Sequence, residues 1–533
     1  MKLDISAYFA IKKGIMHTEV EKDTTALVIG ENTMAQDIIT QLTQTGHTVE
    51  HRKDTTNKLI PDTCREIVIL TPFVPSQNAI QADTNALAIL SDISKNLQKT
   101  QKRDIVVHLQ LQSATTFRTL YTLDLKKDII QTFEVCPFTF EDAWAEKVLV
   151  QMPDTQTPDY PPLDREPVTK DSKKHVHLVI SGFDAQGQSL AIHTALTAHF
   201  PNYNPQDKTP LRTRITVVDK NIADSRDKFI ADYQHLFDNS FYRLIDTATK
   251  DVKFHYPRYY GERSDFVDVE WEFVEGDICS AELSSKLAEW AEDENKLLTI
   301  AICNGNDEIN LSKCLSLAEP VFKNAIPVFL QQNYATKATF AFEGQYANVF
   351  PFGKRTEGYN VRQPLRKMAK LLNYFYNYSY SEGKIPTSIS TAEAEKMWTE
   401  QKSLKLRLSS IYNVMTMACK MRCLNHTPDD ANIFYALSQR EVESLAETEH
   451  NRWSVERLIL GMRPCTTEEK EEIRRDKTLK RAYKKKNIHF DLCAYHELEE
   501  DETGKNAQVY DYDLIASISL IVKSFADSNE QQK

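Results

Sequence analysis

The chain contains 533 residues, of which 41% are hydrophobic and 26% are charged, and its formal net charge is −11. This length exceeds what one hydrophobic core normally organises, so several folded domains are expected. The acidic balance argues against binding to extended nucleic acid, which requires a basic surface. No apolar run reaches the roughly 18–20 residues that a membrane-spanning helix needs, so we expect no direct membrane insertion.

The nine cysteines are scattered and lack paired CxxC spacing. Cys419 and Cys423 are close enough to meet on one helix, but no second pair or nearby histidine completes a zinc site. No secretory signal is evident near the N-terminus. We therefore expect reduced thiols, a cytoplasmic location and no metal site.

Residues 1–150 are predicted to form a Rossmann-like, doubly wound α/β unit with a parallel sheet. Residues 26–29 are a short apolar run typical of a buried parallel strand, and a helix with apolar residues at helical spacing follows at 34–42. Further strands are predicted at 47–51, 67–70 and 105–109. This alternation of strands and helices is typical of the fold.

The turn after the first strand differs from a dinucleotide-binding turn, which needs glycines where the backbone approaches a pyrophosphate. Gly30 is present, but Asn32 and Ala35 occupy the other two positions. The Asn32 side chain stands where a phosphate would approach. We therefore predict that this first unit has the Rossmann shape without a bound nucleotide.

Residues 151–173 contain five prolines, a composition that predicts a stiff, extended linker. A second Rossmann-like unit is predicted over residues 174–358. It begins with a strand at 175–180, a turn and a helix at 189–198, and continues with a strand at 214–218.

The turn of the second unit carries part of a dinucleotide-binding pattern. Gly182 and Gly187 stand at the first and third glycine positions, and Asp184 replaces the middle glycine. A carboxylate there repels pyrophosphate unless it is paired or turned away. Asp219, which follows the second strand, can hydrogen-bond a ribose hydroxyl in this fold. Two interpretations stay open: these four residues bind NAD or another adenine nucleotide, or the turn is unoccupied.

The second half of this unit repeats the alternation, with strands predicted at 267–273, 297–303 and 326–330 and a helix at 310–317. The pattern resembles TrkA-type nucleotide-binding domains over about residues 175–355 and, more faintly, over 24–135. Domains of this kind regulate potassium transporters and often pair. The resemblance therefore implies a homo-oligomer.

From residue 359 onward the pattern changes to helices, predicted at 365–376 and 397–421. Tyrosines alternate at positions 374, 376, 378 and 380. They form either an aromatic wall for a ligand or a packing surface between the helices and the α/β units. Both interpretations stay open.

Residues 445–462 are predicted to form one helix with two different sides. An apolar stripe on one side consists of Val455, Leu458, Ile459 and Met462. The other side carries Glu449, His450, Trp453 and Arg457. This polar side either caps a contact with a second helix or lines a pocket in which the indole stacks a base and the guanidinium binds a phosphate.

These residues look like the signature of the ryanodine-receptor (RyR) repeat domain in its bacterial form. The matching positions are 449–453, 456–457 and 460–461, with a second matching segment at 489–495 and 497–498. Residues 462–464 depart from the family, which usually has an aromatic and a small residue after the glycine. The resemblance implies a helical RyR-like domain over 359–533. The predicted ligand-binding residues are Glu449, His450, Arg452, Trp453, Arg457 and Tyr495.

Residues 468–486 are highly charged, acidic at first and then basic through Lys484, Lys485 and Lys486. By itself this pattern predicts a solvated helix or loop. If the segment lies over the Trp453 side of the helix, its lysines could serve a polyanionic ligand.

No P-loop, GxSxG, HExxH or kinase motif occurs, and no acid or base is placed to serve a nicotinamide cofactor. An enzyme is therefore disfavoured. The predicted fold class is α/β plus all-α, with two Rossmann-like units followed by the RyR-like domain. The resemblance implies an intracellular sensor of a nucleotide or nucleotide-derived small molecule, as in bacterial antiviral systems. The alternatives are an adenine-nucleotide-binding regulatory subunit of an ion transporter and a divergent NAD(P)-dependent oxidoreductase.

Overall fold

The computed structural model describes residues 24–53, 60–97, 105–122, 129, 133–152, 159–334, 344–401, 403–425, 437–500 and 506–530. Within these ranges the chain forms two α/β domains and a C-terminal helical region. This confirms the prediction of α/β units with parallel sheets followed by helices. Residues 153–158 of the predicted linker lie outside the described residues.

The first α/β domain contains a five-stranded sheet in which every pair of neighbouring strands is parallel. Its elements are β1 (Thr25–Ile29), α1 (Ala35–Gln44), β2 (Thr48–Arg52), β3 (Cys64–Ile69), α2 (Ala79–Leu97), β4 (Ile105–Leu111), α3 (Ala114–Thr122), β5 (Phe133–Thr139) and α4 (Phe140–Leu149). The strand order is β2-β1-β3-β4-β5. Strand β5 was not predicted; it contains Pro137, and it lies at the sheet edge, where proline is tolerated.

The second α/β domain contains an eight-stranded sheet. Its elements are β6 (His175–Ser181), α5 (Ala185–Thr197), β7 (Thr213–Asp219), α6 (Ile222–Asp232), α7 (Gln234–Phe237), β8 (Phe241–Asp246), β9 (Val252–His255), β10 (Val269–Glu275), α8 (Ala281–Glu292), β11 (Lys296–Ile302), α9 (Asp307–Leu315), α10 (Glu319–Lys323), β12 (Val328–Gln331) and β13 (Val349–Phe352). The order is β13-β12-β11-β6-β7-β10-β8-β9. Without the antiparallel β8–β9 hairpin, this is the strand order of dinucleotide-binding Rossmann folds.

The helical region follows the second sheet. Its elements are α11 (Pro364–Glu382), α12 (Thr391–Glu400), α13 (Leu404–Val414), α14 (Met417–Cys423), α15 (Gln439–Ile459), β14 (Arg463–Pro464), α16 (Thr467–Arg475), α17 (Leu479–Lys484), β15 (Ile488–His489) and α18 (Gln508–Glu530). Helix α11 packs against α12, α13 and α18, and α15 packs against α13 and α18.

The single helix predicted over 397–421 is wrong, because this stretch contains parts of three helices. The backbone of Ser403 is extended, so the preceding helix does not continue through it. The Ser403 side chain accepts a hydrogen bond from the amide of Leu406 and caps the start of α13. The predicted helix at 365–376 extends further, to Glu382, and ends at Gly383 in the left-handed conformation.

The three parts of the chain share one continuous hydrophobic core, which includes Val28, Leu178, Leu372 and Leu458. Helix α5 is buried on nearly all sides, because α4 of the first domain covers one side and α15 of the helical region covers another. Helix α15 therefore rests directly on the second α/β domain. No helix in the described part of the chain is long and apolar enough to cross a bilayer.

Residues 159–173 of the predicted linker contain no regular secondary structure. Tyr160, Leu163 and Val168 are buried in the shared core. The Tyr160 hydroxyl donates a hydrogen bond to the carbonyl oxygen of Pro351 in the second domain (3.0 Å). This segment is thus packed against the folded domains.

The close packing of β6 against β11 at their carboxyl ends can be tested by substituting Gly182, with Gly261 as the comparison. Both have positive φ, but a Cβ at Gly182 would clash with the carbonyl oxygen of Cys303, whereas a Cβ at Gly261 would meet nothing within 4 Å. We expect Gly261→Ala to lower the free energy of unfolding by about 1–2 kcal/mol through backbone strain. Gly182→Ala should lower the free energy of unfolding by roughly 1–3 kcal/mol more, because the added Cβ overpacks the site. Equal urea-unfolding midpoints for the two variants would contradict this packing.

Candidate ligand-binding site

Helix α15 is fixed at both ends by local sequence. Ser438 and Glu441 form a capping box, in which each side chain bonds the other residue's amide, at the start of the helix. Gly461, with φ of 79°, follows the last turn and allows the chain to reverse. The predicted apolar stripe of Val455, Leu458, Ile459 and Met462 belongs to the shared core.

A buried network of charges lies on the side of α15 that faces α13 and α14. Glu449 accepts hydrogen bonds from Lys420 Nζ (2.5 Å) and from Arg452 Nη2 (2.9 Å). Arg452 also donates to Glu456 (2.8 Å), and Asn413 donates to Glu449 (2.7 Å). All five side chains are buried. The network ties three helices together through Glu449.

The charges of this network stabilise one another. Burial alone would raise the pKa of Glu449, but the nearby Arg452 and Lys420 outweigh burial and lower this pKa to about 2. Burial also opposes the charge on Arg452, yet Glu449 and Glu456 raise the pKa of its guanidinium. Such an arrangement is stable only when every charge has its partner.

His450 connects α15 to α18. Its Nε2 donates a hydrogen bond to the carbonyl oxygen of Cys493 (2.9 Å), and its Nδ1 lies 3.3 Å from Oδ2 of Asp511. Burial alone would lower the pKa of His450, but the hydrogen bond and charge of Asp511 raise it above its ordinary value. The imidazole therefore holds one orientation between two fixed acceptors.

A cavity of about 600 Å³ opens beside α15. Helix α15 contributes His450, Arg452, Trp453 and Arg457 to its wall. The other walls come from α11, α13, α17 and α18 and from the segment around β15. Its volume lies in the range of about 300–1,000 Å³ that is usual for small-molecule sites.

Trp453 lies at the centre of an aromatic and cationic group in this cavity. Its ring centroid is 5.5 Å from that of His450 and 4.9 Å from that of His489, which meets it edge-on. The guanidinium carbon of Arg457 lies 5.4 Å from the Trp453 centroid. The indole is partly exposed, unlike most of α15. The neighbouring side chains thus set the orientation of the Trp453 indole, while part of the ring stays exposed.

Two buried polar groups on the cavity wall have no hydrogen-bond partner within the described protein. They are Nε of Arg457 and Nδ2 of Asn373. The other end of Arg457 is held, since its Nη2 donates to Ser409 Oγ (2.9 Å). Buried polar groups are normally satisfied. A bound molecule with hydrogen-bond acceptors would satisfy both donors.

One wall of the cavity is basic and another is aromatic. Lys480, Arg481 and Lys484 of α17 line it, and of these Lys480 bonds Asp491 (2.9 Å). Tyr376, Tyr380 and Tyr510 line it as well, with centroid distances of 6.5 Å between Tyr376 and Tyr510 and 6.3 Å between Tyr380 and Tyr510. The sequence signals were the basic end of residues 468–486 and the alternating tyrosines, but neither pattern alone assigned these residues to the site.

The structure brings together four of the six predicted ligand-binding residues. His450, Arg452, Trp453 and Arg457 line one cavity, and Arg452 is at the same time committed to the buried network. Glu449 and Tyr495 are not among the lining residues. The Tyr495 ring contacts His450, with 5.8 Å between centroids. These two residues support the site from outside it.

The predicted nucleotide-binding turn of the second domain is occupied by its own side chains. The Asp184 carboxylate accepts hydrogen bonds from the amides of Gln186 and Gly187 (both 3.1 Å), which are the groups that a phosphate would use at this helix end. A Cβ at Gly187 would clash with the carbonyl oxygen of Gly182. Burial raises the pKa of Asp184 to about 6, although the two amides oppose this.

Asp219 is also engaged locally. Its carboxylate accepts hydrogen bonds from the amides of Phe183 (3.1 Å) and Asn221 (2.8 Å). Asn304, after β11, donates to the carbonyl oxygen of Ser181 (3.2 Å), which closes the carboxyl ends of β6 and β11 against each other. The geometry therefore favours a structural role for this turn.

The first domain is closed in a similar way. Asn32 Nδ2 donates to the carbonyl oxygen of Thr71 (2.8 Å) and to Gln110 Oε1 (2.7 Å), and its Oδ1 accepts from the amide of Met34 (2.8 Å). The Asn32 side chain thus fills the position where a phosphate would lie. The absence of a nucleotide from the first domain stays a prediction, and both interpretations of the second turn stay open.

No known protein-family model matches the chain, and no curated protein is significantly similar to it. Among the described residues, no group of three or more His, Cys, Asp or Glu side chains is placed to hold a metal ion. The candidate site beside α15 is therefore inferred from the structure alone.

The buried network on α15 predicts a large effect of Glu449→Gln. This change leaves Lys420 and Arg452 buried without their shared acid, so we expect the free energy of unfolding to fall by about 3–5 kcal/mol. The matched control is Glu471→Gln, which removes the acid of an exposed ion pair with Arg475 (3.3 Å) and should leave stability nearly unchanged. Urea denaturation of the full chain measures both, and equal losses would contradict the network's role.

The lowered pKa of Glu449 predicts that the stability of the fold depends on pH. Because the pKa of Glu449 falls from 4.5 to about 2 on folding, its contribution is complete above about pH 4.5 and is lost as the pH falls towards 2. Urea denaturation at several pH values should show a steeper loss of stability in this acidic window for the natural chain than for Glu449→Gln. Parallel curves would show that Glu449 is not held ionised by the fold.

Proposed function

We propose that this chain is a sensor that binds a nucleotide or a nucleotide-derived small molecule in the cavity between α11, α13, α15, α17 and α18. The observation that carries the proposal is the joint presence of a partly exposed indole, the Arg457 guanidinium and the basic side chains of α17 in one cavity. A base stacks on aromatic rings. Phosphate oxygens accept hydrogen bonds from arginine and attract lysine.

The remaining chemistry of the cavity agrees with such a ligand. The unpaired donors of Arg457 and Asn373 match the acceptor atoms of phosphates, riboses or bases. Asp491 and Asp511 can accept hydrogen bonds from the exocyclic amines of a base, and both line the cavity. The resemblance to bacterial RyR-domain proteins supports this assignment and extends it to a sensor in antiviral signalling.

The two alternatives, a transporter-regulating subunit and a NAD(P)-dependent oxidoreductase, place the nucleotide at the second Rossmann turn. There the amides that would bind phosphate are already bonded to Asp184, and the Asp219 carboxylate is bonded to two amides. Binding a phosphate at that turn would require the two amide bonds to Asp184 to break. The cavity beside Trp453 needs no such rearrangement, so we favour it.

We expect Trp453→Ala and Arg457→Ala each to weaken nucleotide binding by about fivefold or more. The loss of a stacking ring removes about 1–3 kcal/mol per base, and the loss of a charged hydrogen bond removes about 1.5–3 kcal/mol. Isothermal titration calorimetry of the full chain against NAD, ADP-ribose, ATP and cyclic oligonucleotides measures these affinities.

Two control variants decide where the ligand binds. Arg475→Ala removes an exposed guanidinium on α16 that does not line the cavity, and Asp219→Ala alters the Rossmann turn. Both should keep the natural affinity. Unchanged affinity in the Trp453 and Arg457 variants, together with loss of binding in Asp219→Ala, would overturn the proposal in favour of the turn.

The basic wall predicts that binding depends on salt. Arg481→Ala and Lys484→Ala should weaken the affinity for a polyphosphate ligand and reduce its decline with ionic strength, because partly exposed charge pairs are screened by salt. Titrations of ATP at low and high sodium chloride test this. An affinity that is independent of salt in the natural chain would show that α17 takes no part in binding.

A further inference from the structure

A second cavity, of about 660 Å³, lies where α4 and α1 of the first α/β domain meet α13 and the start of α11. Junctions between domains are common positions for small-molecule sites. The function proposed above makes no use of this cavity. One helix separates the two cavities, because Leu408 and Tyr412 of α13 line this one while Ser409 and Asn413 line the other.

Aromatic rings form much of the wall of this second cavity. They belong to Phe117, Tyr121, Phe138, Tyr160, Tyr359 and Tyr412. The hydroxyl of Tyr359 is bonded to His108 (2.6 Å), and that of Tyr160 to a backbone carbonyl. Tyr121 and Tyr412 differ: both are more than nine-tenths buried, and within the described chain neither hydroxyl has a hydrogen-bond partner. Two phenol oxygens on the wall are thus available to a ligand.

A carboxyl group without a cationic partner lies on the same wall. Glu146 of α4 lines the cavity, and its side chain makes no hydrogen bond or ion pair with any described residue. Burial raises the pKa of this carboxyl to about 7, with Arg366 opposing the shift and Asp142 adding to it. An acid in such a place gains most from a partner that brings a positive charge.

The other charged groups favour a positive ligand over a negative one. Among the described residues, five carboxyl groups line the cavity (Asp37, Asp142, Glu146, Asp159 and Glu357), against three cationic side chains (Lys147, Arg362 and Arg366). Arg366 is bonded to Glu134 (3.3 Å), and Lys147 Nζ lies over the Trp144 ring at 4.6 Å from its centroid. Two of the cations therefore already have protein partners, whereas Glu146 does not.

We propose that this cavity binds a small organic cation whose ammonium group lies between Glu146 and the phenol rings of Tyr121 and Tyr412. The ammonium group would pair with the Glu146 carboxylate and donate hydrogen bonds to the two phenol oxygens. The faces of the surrounding rings would stabilise the charge further, since ammonium ions are attracted to aromatic faces. The site is independent of the nucleotide cavity beside Trp453.

Calorimetric titration of the full chain with putrescine, cadaverine and spermidine, whose ammonium groups can all donate hydrogen bonds, tests the proposal. We expect at least one of these cations to bind, with Glu146→Gln reducing its affinity at least tenfold and Tyr412→Phe, which keeps the ring, reducing it several-fold. Glu308→Gln is the matched control, since Glu308 is an exposed acid on α9 that does not line this cavity. It should bind like the natural chain.

The Trp453→Ala variant separates this proposal from the proposed nucleotide site, and it should bind the organic cation with unchanged affinity. Circular dichroism and thermal melting establish that each variant is folded. The absence of binding by all three cations would overturn the proposal. So would full affinity in a folded Glu146→Gln variant, or equal weakening by Glu146→Gln and Glu308→Gln.

Discussion

The arrangement of the helical region depends on Arg452, a guanidinium buried between two carboxylates of its own helix. Removing such charges from water is costly, and the cost is offset only when each charge is paired and hydrogen-bonded. Glu449 and Glu456 supply these bonds, and Lys420 joins Glu449 from α14. Because the network accepts few alternative geometries, it fixes the rotation of α15 about its axis. That rotation directs His450, Trp453 and Arg457 towards one cavity.

The polar side of α15 therefore has two roles that its sequence does not separate. Glu449 and Glu456 stabilise the packing of the helices, whereas Trp453 and Arg457 line the cavity. Arg452 belongs to both groups, since it completes the network and also lines the cavity. The proposed binding site and the stabilising network thus share one helix, which rests on the second α/β domain.

The two α/β domains keep the shape of nucleotide-binding folds while their own side chains fill the binding positions. Asn32 occupies that place in the first domain, and Asp184 caps the corresponding helix in the second. In a Rossmann fold the ligand normally lies outside the carboxyl ends of the strands. Here local side chains bond groups at those ends, and the helical region packs against the second domain.

Much of the fold was predictable, because apolar runs and helical periodicity are local properties of the sequence. The parallel strands and the change to helices after residue 358 followed from them. Strand order, the β8–β9 hairpin and edge strand β5 did not, since they depend on contacts between distant residues. The same limit applied to the site. Helical periodicity placed Trp453 and Arg457 together, but nothing local indicated that Lys420 would pair with Glu449 or that α17 would lie across the cavity.

The central claim is that the ligand occupies the cavity beside α15 and leaves both Rossmann turns closed. A crystal structure of the chain with its tightest-binding nucleotide measures this directly. We expect a base in contact with the aromatic wall around Trp453, phosphates near Arg457 and α17, and intact bonds from Asp184 to the amides of Gln186 and Gly187. A nucleotide at the carboxyl ends of β6 and β11, with the α15 cavity empty, would contradict it.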